Sequence, residues 1–199
     1  MLSEQNSRKL EAVKEYVSWW FRGRPLPGPG LFKIGRLRRE ARDRPFVAFV
    51  ESGTLNGDTV AAMRRHFPMV YSIEVEPTLH EKARQRFAAD PGVEILRGDS
   101  GEVLPILFGR AGAFDGPVLF WLDGHYSGGN TGKGVLETPI MQELLCVLGR
   151  PKGDVILIDD ARCFGSLPDY PGIEELKAMV RERRPDLAWD LRDDIIKLS

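Results

Sequence analysis

Asp123 and His125 follow the apolar run "PVLFWLD", and Asp159 and Asp160 close the run "DVILIDD". Carboxylates accept protons and bind cations, and an imidazole exchanges a proton near neutral pH. If the two runs are neighbouring strands, the three aspartates converge at one rim. Converging carboxylates repel and raise one another's pKa unless a cation lies between them. Oxygen ligands of this type suit magnesium or calcium. Asp123, Asp159 and Asp160 are therefore candidate metal ligands, and Asp123 and His125 are candidate proton acceptors. The plainer alternatives are a helix cap or turn for Asp159-Asp160, and a loop histidine bonded to backbone for His125. His66 and His80 fall in helical patterns and read as surface residues.

Two glycine-rich stretches carry further chemistry. In "ESGTLNGDT", Gly53 and Gly57 allow a tight turn and a close approach of ligand to backbone. Glu74, in "YSIEVEP", stands 21 residues after Gly53. That spacing suits a carboxylate accepting hydrogen bonds from ribose hydroxyls. The alternative is a pair of turn glycines and a solvent-facing glutamate. The second stretch, "SGGNTGKG" at 127–134, has the outline of a nucleotide-phosphate cradle. It lacks the cradle's first glycine, replaced by Ser127, and its hydroxyl residue, replaced by Gly134. It also follows the fourth apolar run, whereas such cradles generally follow the first. The loop reads better as a wall of an acceptor pocket, with Lys133 meeting an acidic group on the substrate.

These residues must be positioned by the elements around them. "FVAFV", "MVYSIEV", "VEIL", "PVLFWLD" and "DVILIDD" are continuously apolar, as in parallel strands buried on both faces. Between them the spacing predicts helices over 59–66, 78–89, Ser100–Phe108 and the segment from Thr138-Pro139 to Gly149. Thr78 and Glu81 have the spacing of a capping box. A last helix over Ile173–Arg183 precedes "LAWDLRDDIIKLS", which reads as two short antiparallel strands joined at Asp193-Asp194. This alternation predicts an α/β fold, a doubly wound Rossmann-like sheet, mostly parallel, with a C-terminal edge hairpin. Ahead of it, Leu10, Val13, Val17 and Trp20 recur at helical spacing, "GRPLPGPG" breaks the helix, and a short basic helix follows over 34–41. The expected organisation is an N-terminal helical arm over 1–44 and one ligand-binding domain over 45–199.

With those elements in place, "FVESGTLNGDTV … VYSIEVEP … ILRGDSGEVLP" resembles the first three motifs of class I S-adenosylmethionine-dependent methyltransferases. The resemblance covers about residues 45–160 and implies methyl transfer from S-adenosylmethionine. It places Glu51 near the methionine amino group, Glu74 on the ribose, and Asp99 and Ser100 beside the adenine. Ser52, Gly53, Asn56, Gly57, Thr59 and Asp123 complete the implied cofactor site. Leu55 stands where many members have a middle glycine. "LDG…IDDA" is further similar to magnesium-dependent O-methyltransferases of the macrocin and catechol types. There the metal binds the acceptor hydroxyl, which implies a small-molecule hydroxyl as acceptor and magnesium as a second cofactor. His125 replaces the second aspartate of that pattern and Ala161 its tyrosine. A non-catalytic cofactor-binding protein of the same fold is the competing reading.

Bulk properties set the remaining limits. At 199 residues with 42% hydrophobic and 29% charged residues, the chain is an ordinary globular one. Its two cysteines, Cys146 and Cys163, have neither disulfide nor zinc spacing, which suits a reducing compartment. The charged N-terminal stretch is no secretory signal and no run is long enough to span a bilayer, so a cytoplasmic protein without a membrane partner is expected. Residues 1–44 carry 11 Lys/Arg against 5 Asp/Glu. That segment is either a solvated basic surface or, through "GRLRREARDR", the approach to an anionic substrate. Aromatics are not interleaved with these arginines, so no nucleic-acid partner is expected. Trp19 and Trp20 read as packing residues, with a homodimer through the arm as the alternative.

Overall fold

The computed structural model describes residues 4–42, 44–110, 114–124 and 138–199. Five parallel strands form the centre: β1 Ala48–Ser52, β2 Met69–Glu74, β3 Val93–Arg97, β4 Val118–Leu122 and β5 Val155–Ile158. A hairpin, β6 Trp189–Arg192 and β7 Ile195–Leu198, joins the edge beside β5, giving the order β3-β2-β1-β4-β5-β7-β6. The β5–β7 and β6–β7 pairs are antiparallel and all others parallel. This is the sheet expected from the apolar runs, edge hairpin included.

Strict alternation sends neighbouring residues of each strand to opposite layers. Val50, Phe120 and Ile158 face Leu104 of α5 Ser100–Phe108, Leu144 of α6 Ile140–Leu148 and Leu176 of α7 Ile173–Arg183. Phe49, Trp121 and Leu157 face the other way, onto Val60 and Met63 of α3 Asp58–Met63 and Leu37 of α2 Gly30–Glu40. Leu37 is fully buried, so the basic helix of the expected arm belongs to the core of the sheet domain. α1 Glu4–Phe21 packs on α2. Its Trp19 is buried, donates to the Pro25 carbonyl at 2.7 Å and lies against Phe32. Trp20, by contrast, is exposed, with the Arg24 guanidinium over its ring. No helix among the described residues is long and apolar enough to cross a membrane.

Several boundaries differ from the sequence reading, each for a local reason. The capping box at Thr78 and Glu81 is not formed. α4, Pro77–Arg86, starts with Pro77 in its first turn, and Glu76 caps it by accepting from the Leu79 N–H. Proline lacks an N–H and has a helical φ, so it marks the first helical position and moves the cap one residue ahead of itself. Glu81 instead accepts from Arg84 and Gln85 on the helix surface. The basic helix begins at Gly30, after Pro29, rather than at Ile34. α3 is shorter than expected and ends at Met63.

Candidate active site

Parallel order brings the carboxyl ends of β1, β2, β3, β4 and β5 to one edge, and the candidate residues stand on it. At the end of β1, Gly53 has φ +85°, and a Cβ there would lie 2.6 Å from the Asp123 carbonyl oxygen. Only glycine lets the β1 and β4 ends approach so closely. Ser52, fully buried, accepts from the Asp123 N–H at 3.2 Å and ties the same two ends together. Gly57 has φ +72°, and a Cβ there would press on Phe87 at 2.7 Å. Leu55, the residue in place of the middle glycine, also has a positive φ, 50°. The turn thus keeps the glycine-type backbone with a leucine on it. The Asn56 carbonyl receives Arg86, which also pairs with Asp58.

Three acidic side chains surround this turn. Glu51 is buried; the Ser72 hydroxyl donates to it at 2.6 Å, and the Thr59 hydroxyl lies beside it. Burial pushes Glu51 up to about 8, opposed by the Ser72 bond and reinforced by the charge of Asp123. Glu74, at the end of β2, accepts from the backbone N–H groups of Leu55 at 2.8 Å and Glu76 at 2.9 Å. It therefore clasps the glycine turn to the loop after β2. Asp99, after β3, caps α5 by accepting from Gly101 N–H at 2.9 Å, and Ser100 beside it is buried. Glu51 and Ser52 close β1 and Glu74 closes β2, Gly53, Asn56 and Gly57 lie in the turn after β1, Thr59 is in α3, and Asp99 caps α5 at Ser100.

The second constellation forms at β4 and β5. Asp123, Asp159 and Asp160 each offer an oxygen, all within 4.8 Å of one another. One oxygen of Asp159, Oδ1, is buried with no hydrogen-bond partner among the described residues. His125 and Lys133 lie outside the described residues, as does the 127–134 loop.

Lys33 is the residue that sequence reasoning missed. It projects from α2, and its ammonium hydrogen-bonds Asp159 Oδ2 and lies 3.5 Å from Asp160 Oδ1. Burial alone would lower the lysine's pKa, but the charges of Asp159, Asp123 and Asp160 outweigh it and raise it. Arg162 adds a second cation, with Nη1 2.7 Å from Asp160 Oδ1 and paired also with Asp194. The donor types suit a hard divalent ion, yet an ammonium already stands among them. In this arrangement the lysine occupies Asp159 Oδ2 and approaches Asp160 Oδ1, two oxygens that a metal would use. The usable signal in the sequence was the excess of positive charge in 1–44 opposite an acidic remainder. Lys33 with Asp159 and Arg36 with Asp193 show where part of it goes.

Glu143 and Tyr170 were missed as well. Glu143, in the first turn of α6, is fully buried close to Ser52, Ser100 and Gly124, and burial pushes it up to about 7. It lines a cavity with Asp123, Thr138, Asp159, Phe164 and Tyr170. That cavity lies at the β4 and β5 ends, beside Asp123 and Asp159. Burial raises the Tyr170 hydroxyl well above its ordinary value, so it stays protonated.

Known structures agree with this geometry. The SAM complex of the O-methyltransferase TomG from Streptomyces achromogenes, involved in tomaymycin synthesis, superposes with TM-score 0.62 at 22% identity, covering 94% of this chain and 87% of that one. The SAH-bound methyltransferase PaMTH1 from Podospora anserina gives 0.61 at 16% identity, covering 100% and 96%. The N-methyltransferase NodS from Bradyrhizobium japonicum gives 0.56 at 16% identity, covering 84% and 93%. The chain has the fold of class I S-adenosylmethionine-dependent methyltransferases. No family model and no curated protein matches it by sequence. O- and N-methyltransferases share the fold, so the acceptor has to be argued from the site.

Proposed function

We propose that the chain is an S-adenosylmethionine-dependent methyltransferase acting on a hydroxyl group of a small molecule. One observation carries this reading: carboxylates stand at the ends of β1, β2 and β3, in order, around a positive-φ glycine turn. In the class I arrangement, Glu51 would meet the cofactor's ammonium, Glu74 its ribose hydroxyls, and Asp99 with Ser100 its adenine. A phosphate group would be repelled by carboxylates placed this way. A sulfonium amino acid, itself cationic, would be attracted.

Methyl transfer is an in-line displacement: the acceptor oxygen forms a bond to the methyl carbon as the carbon–sulfur bond breaks and the sulfur leaves as a neutral thioether. Positioning supplies most of such catalysis. The acceptor would lie at the β4 and β5 ends, with Asp123 or His125 taking its proton. A hydroxyl acceptor suits this carboxylate-lined rim. The alternative, a cofactor-binding protein without catalysis, makes the same cradle but has no use for the cavity.

The reading includes a homodimer through the arm. Leu10, Val13, Tyr16, Val17, Trp20 and Phe21 of α1 are all exposed, an apolar stripe that a second copy would cover. It also places the reaction in the cytoplasm, without nucleic-acid or membrane partner; both Cys146 and Cys163 are free thiols. Incubation with methyl-labelled S-adenosylmethionine and a panel of phenols, catechols, sugars and amines tests the acceptor. Label transferred to a hydroxyl compound supports the proposal, and transfer to amines alone sinks its O-methyl part.

A further inference from the structure

A cation-binding rim needs something to offset its charge, and this chain supplies that charge itself. Asp123, Asp159 and Asp160 converge within 4.8 Å, with the Asp159 and Asp160 side chains at 1% and 3% exposure. Carboxylates so placed cannot all remain ionised without a partner. The partner present comes from a distant part of the chain. Lys33 crosses 126 residues of sequence to donate to Asp159, and its side chain is only 21% exposed. Two more features fix it there. α2, which carries it, is anchored by Leu37 at zero exposure, so the lysine is held by the core and not by a surface helix. At the far end of the same helix Glu40 receives the Lys197 ammonium at 2.7 Å, a second tie between α2 and the sheet.

We propose that Lys33 is the resident cation of this rim, occupying among Asp123, Asp159 and Asp160 the position a divalent metal would need. A magnesium ion demands close, near-octahedral oxygen ligation. One Asp159 oxygen, Oδ2, is engaged by the ammonium, and Asp160 is drawn to both Lys33 and Arg162. An ammonium has three N–H donors and no preferred coordination geometry. It can hold two carboxylates with N–H donors alone. The rim then works without metal, with α2 supplying its cation. The inference concerns the cation alone and does not rest on which methyl donor or acceptor is used.

Manganous ion, detected by the electron paramagnetic resonance signal of its free form, is the probe. The full chain is compared as wild type, Lys33→Met, Lys33→Arg and Lys33→Met with Asp159→Asn. Wild type and Lys33→Arg should leave the ion free. Lys33→Met should bind one ion per chain at least about tenfold more tightly than wild type, since an uncompensated carboxylate cluster gains a divalent partner. The added Asp159→Asn change should abolish that binding. The inference is overturned if wild type binds the ion as tightly as Lys33→Met, or if neither protein binds it. Should Lys33→Met fold poorly, wild type alone still decides. Its melting temperature should be the same in chelator and in millimolar manganese, and a rise with the metal overturns the inference. S-adenosylhomocysteine titrated into the same samples reports separately on the cofactor cradle.

Discussion

Burial, more than any neighbour, sets the chemistry of the two glutamates beside the proposed cofactor. Glu51 rises from an ordinary 4.5 to about 8 and Glu143 to about 7, both chiefly because burial penalises the charged form. Their folded values lie above the unfolded ones, so folding favours their protonated forms. The stability this contributes is fully present below about pH 4.5 and is lost as pH rises through about 7 to 8. The melting temperature of the unliganded protein should therefore fall from about pH 6 to about pH 9, and less steeply in Glu51→Gln. A bound ammonium favours the charged glutamate, so cofactor binding should release protons near neutral pH and tighten as pH rises. Calorimetry at about pH 7 in buffers of different ionisation enthalpy measures this directly. Proton uptake on binding would contradict Glu51 as the ammonium's partner. Leu55 makes a smaller statement at the same scale. Its left-handed backbone, φ 50°, is one that glycine adopts freely. Leu55→Gly should relieve about 1 kcal/mol of strain, partly offset by unfolded-chain entropy, and should not lower urea stability.

At the scale of elements, one arginine pins the starts of β4 and β5. Arg150 pairs with Asp154 at 3.0 Å, donates to the Phe114 and Gly116 carbonyls, and lies over the Phe108 ring. Asp154 in turn accepts the Val118 N–H at 2.8 Å. Arg150→Met should cost about 3 kcal/mol in denaturant unfolding, because it strands a buried carboxylate. A loss under about 0.5 kcal/mol would show the pair to be incidental. The strands themselves were legible in the sequence, since short runs such as "VILI" at 155–158 are apolar at every position, as in a sheet covered on both faces. The position of Glu51, Glu74 and Asp99 at strand ends was legible because each closes or follows one of those runs. What the sequence concealed depends on through-space approach. Lys33 meets Asp159 only because α2 lies against the β5 and β7 side of the sheet, and nothing local to "GLFKIG" signals it. Glu143 looks like a polar position on an amphipathic helix, and only the crossing of α6 over Ser52 and Ser100 buries it. The cap at Glu76 was hidden by the more familiar Thr-x-x-Glu spacing, which Pro77 overrides.

For the whole molecule, one apolar surface remains to be accounted for. α1 packs on α2 through Trp19 yet leaves Phe21 at 82% and Trp20 at 53% exposure. If a second copy covers that stripe, sedimentation should give a dimer for the wild type and a monomer for Val13→Glu with Val17→Glu. A wild-type monomer at all concentrations would remove the homodimer. The sheet domain, with its own core on both faces, should keep its fold in either variant. In that domain the glycine turn, with Glu51 and Glu74 beside it, is the proposed cradle for S-adenosylmethionine. Its most direct test is calorimetric titration of S-adenosylhomocysteine into the wild type and Glu74→Gln, with ATP as the comparison ligand. The structure predicts one saturable site per chain for S-adenosylhomocysteine, weakened about tenfold or more in Glu74→Gln through loss of a charge-assisted bond to the ribose, and no heat from ATP. Saturable binding of ATP without binding of S-adenosylhomocysteine would contradict it.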